Sequence, residues 1–500
     1  MIYRMLGNLH FACKRWVPNS LCLFSLVFFL ASATALASPA ETDKNPNPCN
    51  LNEEEVQGLS HDASTEASAL DDYIATVSRM AHQERFDQLD CMGDRARGNK
   101  ERFSGGQWKI HNLYQGLYEP APGKHATEED WQDLMHLLQR WVQSHPKSVT
   151  ARVALAWAWI GYAGEARGNG YAGTVSEKGW KLYAERTAEA EKALEDAAAV
   201  PACPESYAVK FNIAENQSWG KERILALFDE ASAFEPGYSF YYGRAVAMLL
   251  EPKWFGEPGD TAKFLQDSAD RIGGKDGDAY YFLVASSKDV ICGCGDQQPK
   301  LSLDRVERGY DAVEQMYGVS MLNLNQLAYL ALSVNPHRRD VILADKTFQR
   351  IGQEWSNYSW DDEQSFEKFK NWTRQMVPAT KEFLAQEGDA QGNLKTPEGA
   401  QYQPGVEKAY KEMVRECARS NGEGVDQWVG EFETLIRVGS NGSVEDGRLN
   451  DMGPVVLCLY KKMRSSHDDK SPLFPVPPKG SYWVRIDLEW GDFAPVAAER

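Results

Sequence analysis

Trp180–Ala199 (WKLYAERTAEAEKALEDAAA), Ile224–Phe234 (ILALFDEASAF) and Phe264–Ile272 (FLQDSADRI) place Ala193, Ala231 and Ala269 at a constant interval of 38 residues. Apolar residues in each stretch recur at the spacing of a helix with one buried face. A small side chain repeated at one helix position lets a neighbouring helix approach closely, and a fixed period of roughly 20–50 residues marks a stacked repeat protein. The partner helices recur in step: Tyr242, Ala245 and Ala247 are matched 38 residues on by Tyr280, Leu283 and Ala285. Upstream, Val149–Gly164 sets Val153, Ala156, Trp157 and Ile160 on one face. The interval then slips, to 43 at Ala312 and 32 at Ala344, around a loop at Cys292–Lys300. No single pair can bury its own apolar stripe. The pattern therefore predicts a mainly α chain of irregular helical hairpin repeats, an α-solenoid.

The flanks divide around this core. Residues 1–37 read as a signal peptide: Arg4, Lys14 and Arg15 precede the apolar run Leu21–Ala37, and Ala35-Leu36-Ala37 supplies the cleavage signal. The alternative is an uncleaved inner-membrane anchor. A disordered lead-in (38–52), an N-terminal helical segment (53–146), the repeats (147–375) and a Gln/Gly/Glu-rich linker (376–405) follow. Thr127-Glu128-Glu129-Asp130 caps the helix from Trp131, and Pro146 ends it. Residues 406–492 form a small α+β domain, and 493–500 a tail. There Phe432–Val438 and Tyr482–Glu489 alternate as strands, Ser440-Asn441-Gly442-Ser443 is a hairpin turn, and Val455–Met463 is a short helix. The order helix, strand, strand, helix, strand gives a small sheet with helices on one side.

The net charge of −18 becomes −21 without the leader, which carries three basic and no acidic residues. With no basic patch, such a chain is a poor ligand for nucleic acid or anionic membrane. After cleavage seven of the nine cysteines remain, and disulfides are their default in an exported protein. The preferred pairs are Cys417–Cys458 and Cys49–Cys91, then Cys203 with Cys292 or Cys294, leaving one thiol over.

Catalytic signatures are missing. HExxH, GxSxG, Walker and paired Cys-x-x-Cys motifs do not occur, and His82, His111, His125, His136 and His145 lack metal spacing. Gly168–Gly173 (GNGYAG) fits the dinucleotide fingerprint but follows a helix instead of a strand, so it reads as an inter-helix loop. No catalytic, cofactor-binding or metal residue is assigned. Aromatics are enriched, with 15 Trp and 21 Tyr. Most, such as Trp157, Phe228, Trp254 and Phe264, fill helix seams. Trp159, Tyr162 and Tyr241 are candidates to line a concave groove. Arg167 either anchors a carboxylate there or caps a helix C-terminus.

The alanine ladder and Trp159-Ile160-Gly161-Tyr162 resemble tetratricopeptide-type repeats, which implies a superhelix whose groove binds peptides or proteins. Arg102-Phe103-Ser104-Gly105-Gly106-Gln107-Trp108-Lys109, Trp141…Pro146-Lys147-Ser148 and Trp157…Ala166-Arg167-Gly168 look like an uncharacterised family of exported bacterial proteins with such repeats, a likeness that brings no activity. The C-terminal domain resembles that of TonB-type periplasmic proteins. The likeness rests on Val438…Asn441-Gly442-Ser443-Val444, Cys458-Leu459, Phe474-Pro475-Val476-Pro477-Pro478 and the strand Tyr482–Leu488. It implies partner binding by strand addition at a sheet edge, without the long Pro-rich anchored spacer of an energy transducer.

These readings describe a periplasmic or secreted, non-enzymatic scaffold of the bacterial cell envelope that binds a protein or peptide partner, needs no cofactor and does not insert in the membrane after leader cleavage. An envelope hydrolase acting on cell-wall sugar or peptide in the groove, or a structural adaptor docking on an inner- or outer-membrane complex, are the alternatives. Groove chemistry separates them. A binder places aromatics and uncharged polar groups there, an enzyme converging ionisable groups with shifted pKa values.

Overall fold

The computed structural model describes residues 47–120, 126–168, 170–195, 203–252, 254–287, 301–333, 340–420, 431–449 and 454–489. The leader, His125, Cys292, Cys294 and the tail lie outside them. The described residues form 18 α-helices and one three-stranded antiparallel sheet. They fall into two compact units, one of residues up to 334 with 347–366, the other of 335–346 with 367 onward.

The first unit is helical throughout. It opens with α1 (Glu53–Leu59), α2 (Ala69–His82), α3 (Phe86–Gly98), α4 (Lys109–Tyr118) and α5 (Glu128–Ser144). Thr127 and Asp130 form a reciprocal capping box at the start of α5. Next come α6 (Val149–Arg167), α7 (Glu177–Glu195), α8 (Pro204–Asn216), α9 (Lys221–Phe234), α10 (Ser239–Leu249), α11 (Asp260–Ile272), α12 (Gly274–Ala285), α13 (Leu303–Tyr317) and α14 (Met321–Ser333). Consecutive helices pack on one another, most extensively α6 on α7 and α12 on α13. Ala231 and Ala269 are fully buried, but Ala193 is only half-buried, and Ala190 occupies the seam in its place. Glycine supplies close approaches between neighbouring helices. A Cβ on Gly277 would lie 2.2 Å from the Ala269 carbonyl oxygen, and one on Gly309 equally close to that of Asp278.

A short loop ties this unit together. Arg102 and Trp108 form a β-bridge, and Gly105 and Gly106 turn the chain between them at φ 83° and 88°, a region that favours glycine. Arg102 and the Trp108 indole both donate to the Gly237 carbonyl, at 3.1 and 3.0 Å. The Gly105 amide donates to the Tyr317 carbonyl at 3.1 Å, while the Asn323 amide group donates to the Gly105 carbonyl at 2.9 Å. Nearby, the Met321 amide donates to the Ala63 carbonyl, and the Tyr358 hydroxyl donates to Asp71 across 287 residues of sequence. In an open solenoid each repeat touches only its neighbours. Here the first helices also meet the last ones.

Disulfides join Cys49 to Cys91 and Cys417 to Cys458, with Cα atoms 5.5 and 5.6 Å apart. The first anchors residues 47–52 to α3, so this end of the expected lead-in is held in place. Cys203 is a buried free thiol, 3.7 Å from the Tyr114 hydroxyl, and does not pair as the sequence suggested.

α15 (Val341–Ile351) crosses the boundary between the units in sequence, and the second unit is built on α16 (Glu363–Leu394) and α17 (Pro397–Ser420). Residues 376–405, read as a linker, are thus almost wholly helical. Their Glu, Gln, Ala and Lys residues, though aperiodic, are strong helix formers. After them run β1 (Glu431–Val438), β2 (Val444–Leu449), α18 (Pro454–Asp469) and β3 (Tyr482–Glu489), in spatial order β2-β1-β3. Ile436 stands opposite Gly447 on one side and Val484 on the other. Tyr410 and Val414 of α17 and Val455, Leu459 and Met463 of α18 pack on one sheet face. The other face is covered too: Leu435 and Trp483 pack on Ala390 and Phe383 of α16. The expectation of helices on one side is corrected accordingly.

Candidate binding site

The predicted groove residues are mostly interior. Tyr162 is buried between the Trp131 ring, stacked at 5.5 Å, and the Arg186 guanidinium, 3.2 Å above its centroid, while its hydroxyl donates to Glu128. Trp159, one turn earlier on α6, is half-buried with its ring 6.1 Å from Tyr162. Arg167 is buried and donates to the carbonyls of Gly168 at 2.9 Å and Gly170 at 3.3 Å, closing the loop that follows α6. Tyr241 lies apart from these three. Its hydroxyl accepts from the Trp108 amide at 3.0 Å and donates to Gln107 at 2.8 Å. The space that a groove would offer at Tyr241 is filled by the chain's own 102–108 loop.

Glu205 carries no signal in the sequence. It sits in the first turn of α8, where the helix dipole favours an anion, and is fully buried. One carboxylate oxygen accepts from the Tyr238 hydroxyl and meets the His111 Nδ1 at 2.7 Å, and the other accepts from the Trp157 indole at 2.8 Å. Burial pushes the Tyr238 and Tyr241 hydroxyls far up, so both stay protonated donors. Ionisable groups do converge here, but they bond to one another inside the helical unit. His61 was also missed. Its Nδ1 lies 2.5 Å from Glu66 and 3.3 Å from Asp72, and the Glu66 hydrogen bond raises its pKa.

The two sheet edges differ. On β3 the carbonyls of Trp483 and Arg485 accept side-chain hydrogen bonds from Asn393 at 3.1 Å and Gln403 at 2.5 Å. On β2 the Val444 amide donates to the Ser466 hydroxyl of α18 at 3.0 Å, but among the described residues the Gly447 amide bonds only its neighbour's carboxylate, Asp446, at 2.8 Å, and no strand pairs with the outer side. α18 packs on β2 and leaves Leu457 and Tyr460 about half exposed, at 49% and 53%. Such a pair of exposed apolar side chains beside an unpaired backbone suits an added strand. The cue in the sequence was the Asn-Gly hairpin, which fixes β2 beside β1 but does not say which edge stays open. No protein-family model, curated protein or solved structure matches this chain.

Proposed function

We propose that the chain is an exported, non-enzymatic binding protein of the bacterial cell envelope, and that its C-terminal unit takes up an extended protein segment along β2. The helical unit serves as a closed support. The difference between the two sheet edges carries this reading. An edge strand presents unpaired N–H and C=O groups that template another strand, and among the described residues only β3 has its carbonyls covered by helix side chains. Export is supported by two disulfides, which persist in oxidising compartments. No helix among the described residues is long and apolar enough to cross a membrane. The TonB-type likeness of this domain points to the same mode of binding.

Site-specific photo-cross-linking in producing cells tests the reading. A cross-linker at Glu445 on β2 should give a covalent adduct, and one at Asp487 on β3 should give none. Adducts from Trp159 on α6 with none from Glu445 would overturn it in favour of the helical unit.

A further inference from the structure

We propose that the segment accepted by β2 is β2 of a second copy of this chain, paired antiparallel about a two-fold axis at Gly447. This rests on the reading of β2 as the accepting edge. The parity of the ladder comes first. Trp483 and Arg485 turn their carbonyls to helix side chains, so the even-numbered residues of β3 and β1 face each other. The odd-numbered residues of β1 then face β2, with Leu435 opposite Arg448 and Arg437 opposite Asp446. Gly447 is left with its amide and carbonyl directed outward, consistent with its amide taking the Asp446 carboxylate.

An antiparallel pair centred on Gly447 sets each Gly447 against its copy and each Asp446 against the partner's Arg448. Within one chain these two side chains already share the α16 face of the strand, 2.9 Å apart. On pairing, the Gly447 amide would pass from the Asp446 carboxylate to the partner's carbonyl, and the carboxylate would turn to the facing guanidinium. The edge is therefore complementary to itself in charge and in hydrogen-bond parity.

The exposed Tyr460 falls on the same axis. α18 turns Cys458 and Lys462 toward α17, through the disulfide and the Glu416 ion pair, and Leu459 and Met463 toward the sheet. At about 100° per residue, Tyr460 lies on the flank away from α17, beyond the β2 edge. A two-fold axis perpendicular to the sheet brings both copies of α18 onto one face. Tyr460 of each copy would then be covered by the other helix.

Sedimentation equilibrium of the full chain tests this. The wild type should dimerise. Asp446→Arg sets like charges against each other twice and should raise the dimer Kd at least about tenfold. The exchanged pair Asp446→Arg with Arg448→Asp shares the loss of the Gly447 contact but restores the charges, and should recover most of the affinity. Urea unfolding of each variant separates lost pairing from lost folding. A chain that is monomeric throughout, or a dimer indifferent to Asp446→Arg, overturns the proposal. If such a monomer still cross-links another protein from Glu445, strand uptake stands and only self-pairing falls; without that adduct both fall.

Discussion

The helical unit and the C-terminal unit handle polar groups in opposite ways. In the first, Glu205 gathers His111, Trp157 and Tyr238 from three other parts of the chain, and the 102–108 loop bonds to Gly237, Tyr317 and Asn323. These groups are closed in on one another. In the second, no strand among the described residues pairs with the outer side of β2, and Tyr460 of α18 is exposed. A dense interior network fixes one conformation, whereas an open edge keeps capacity for a partner. Convergence of ionisable residues alone is thus a poor guide to the working surface of this protein.

The strongest way to break the comparison is Glu205→Ala. If the buried carboxylate is a structural junction, its loss strands three donors, and stability to urea should fall by roughly 3–5 kcal/mol. A variant that folds normally would mean the helical interior is not built on this knot. Replacing Cys417 and Cys458 together by serine should cost about 2–4 kcal/mol, read as an earlier unfolding transition of the second unit. Arg448→Ala sharpens the contrast from the other side. It removes an exposed ion pair worth about 0–1 kcal/mol, so its thermal melt should barely move while association weakens.

The smallest effect concerns pH. His61 has a folded pKa raised above its ordinary value of 6.5, chiefly by the Glu66 hydrogen bond. Its contribution to stability is present in full below the unfolded pKa and is lost as pH rises through the raised folded value. The melting temperature of wild type relative to His61→Asn should therefore narrow from pH 6 toward pH 8, taken as about one unit either side of neutrality. A gap that widens instead would contradict the ion-pair role of His61.

Much of the local structure was legible in the sequence. Apolar periodicity located most of the helices from Val149 to Tyr317, though not α8, alternation located β1 and β3, and the Asn441-Gly442 turn implied β2. Both disulfides followed from cysteine placement. What stayed hidden depends on distant partners. Glu205 meets His111 from 94 residues away, and Gly105 meets Asn323 from 218 away. No window of neighbouring residues records such contacts. The alanine ladder misled for a related reason: it marks helix phase, but Gly277 and Gly309 mark other close approaches, set by the crossing of particular helices. α16 and the first turns of α17 escaped notice because residues 376–405 are mostly exposed and carry little periodic signal, although their residue types favour helix. The groove residues Tyr162, Arg167 and Tyr241 were chosen as anchors for a partner, and the chain itself occupies their surroundings.

The central claim is that β2, and not the helical unit, is where this protein meets another chain. Hydrogen exchange of the full chain tests it directly, comparing dilute with concentrated protein and then adding envelope extract. Amides of Val444–Leu449 should slow under one of these conditions while those of Tyr482–Glu489 and Arg102–Trp108 keep their rates. Unchanged exchange in β2, with slowing in α6 or the 102–108 loop, would contradict it.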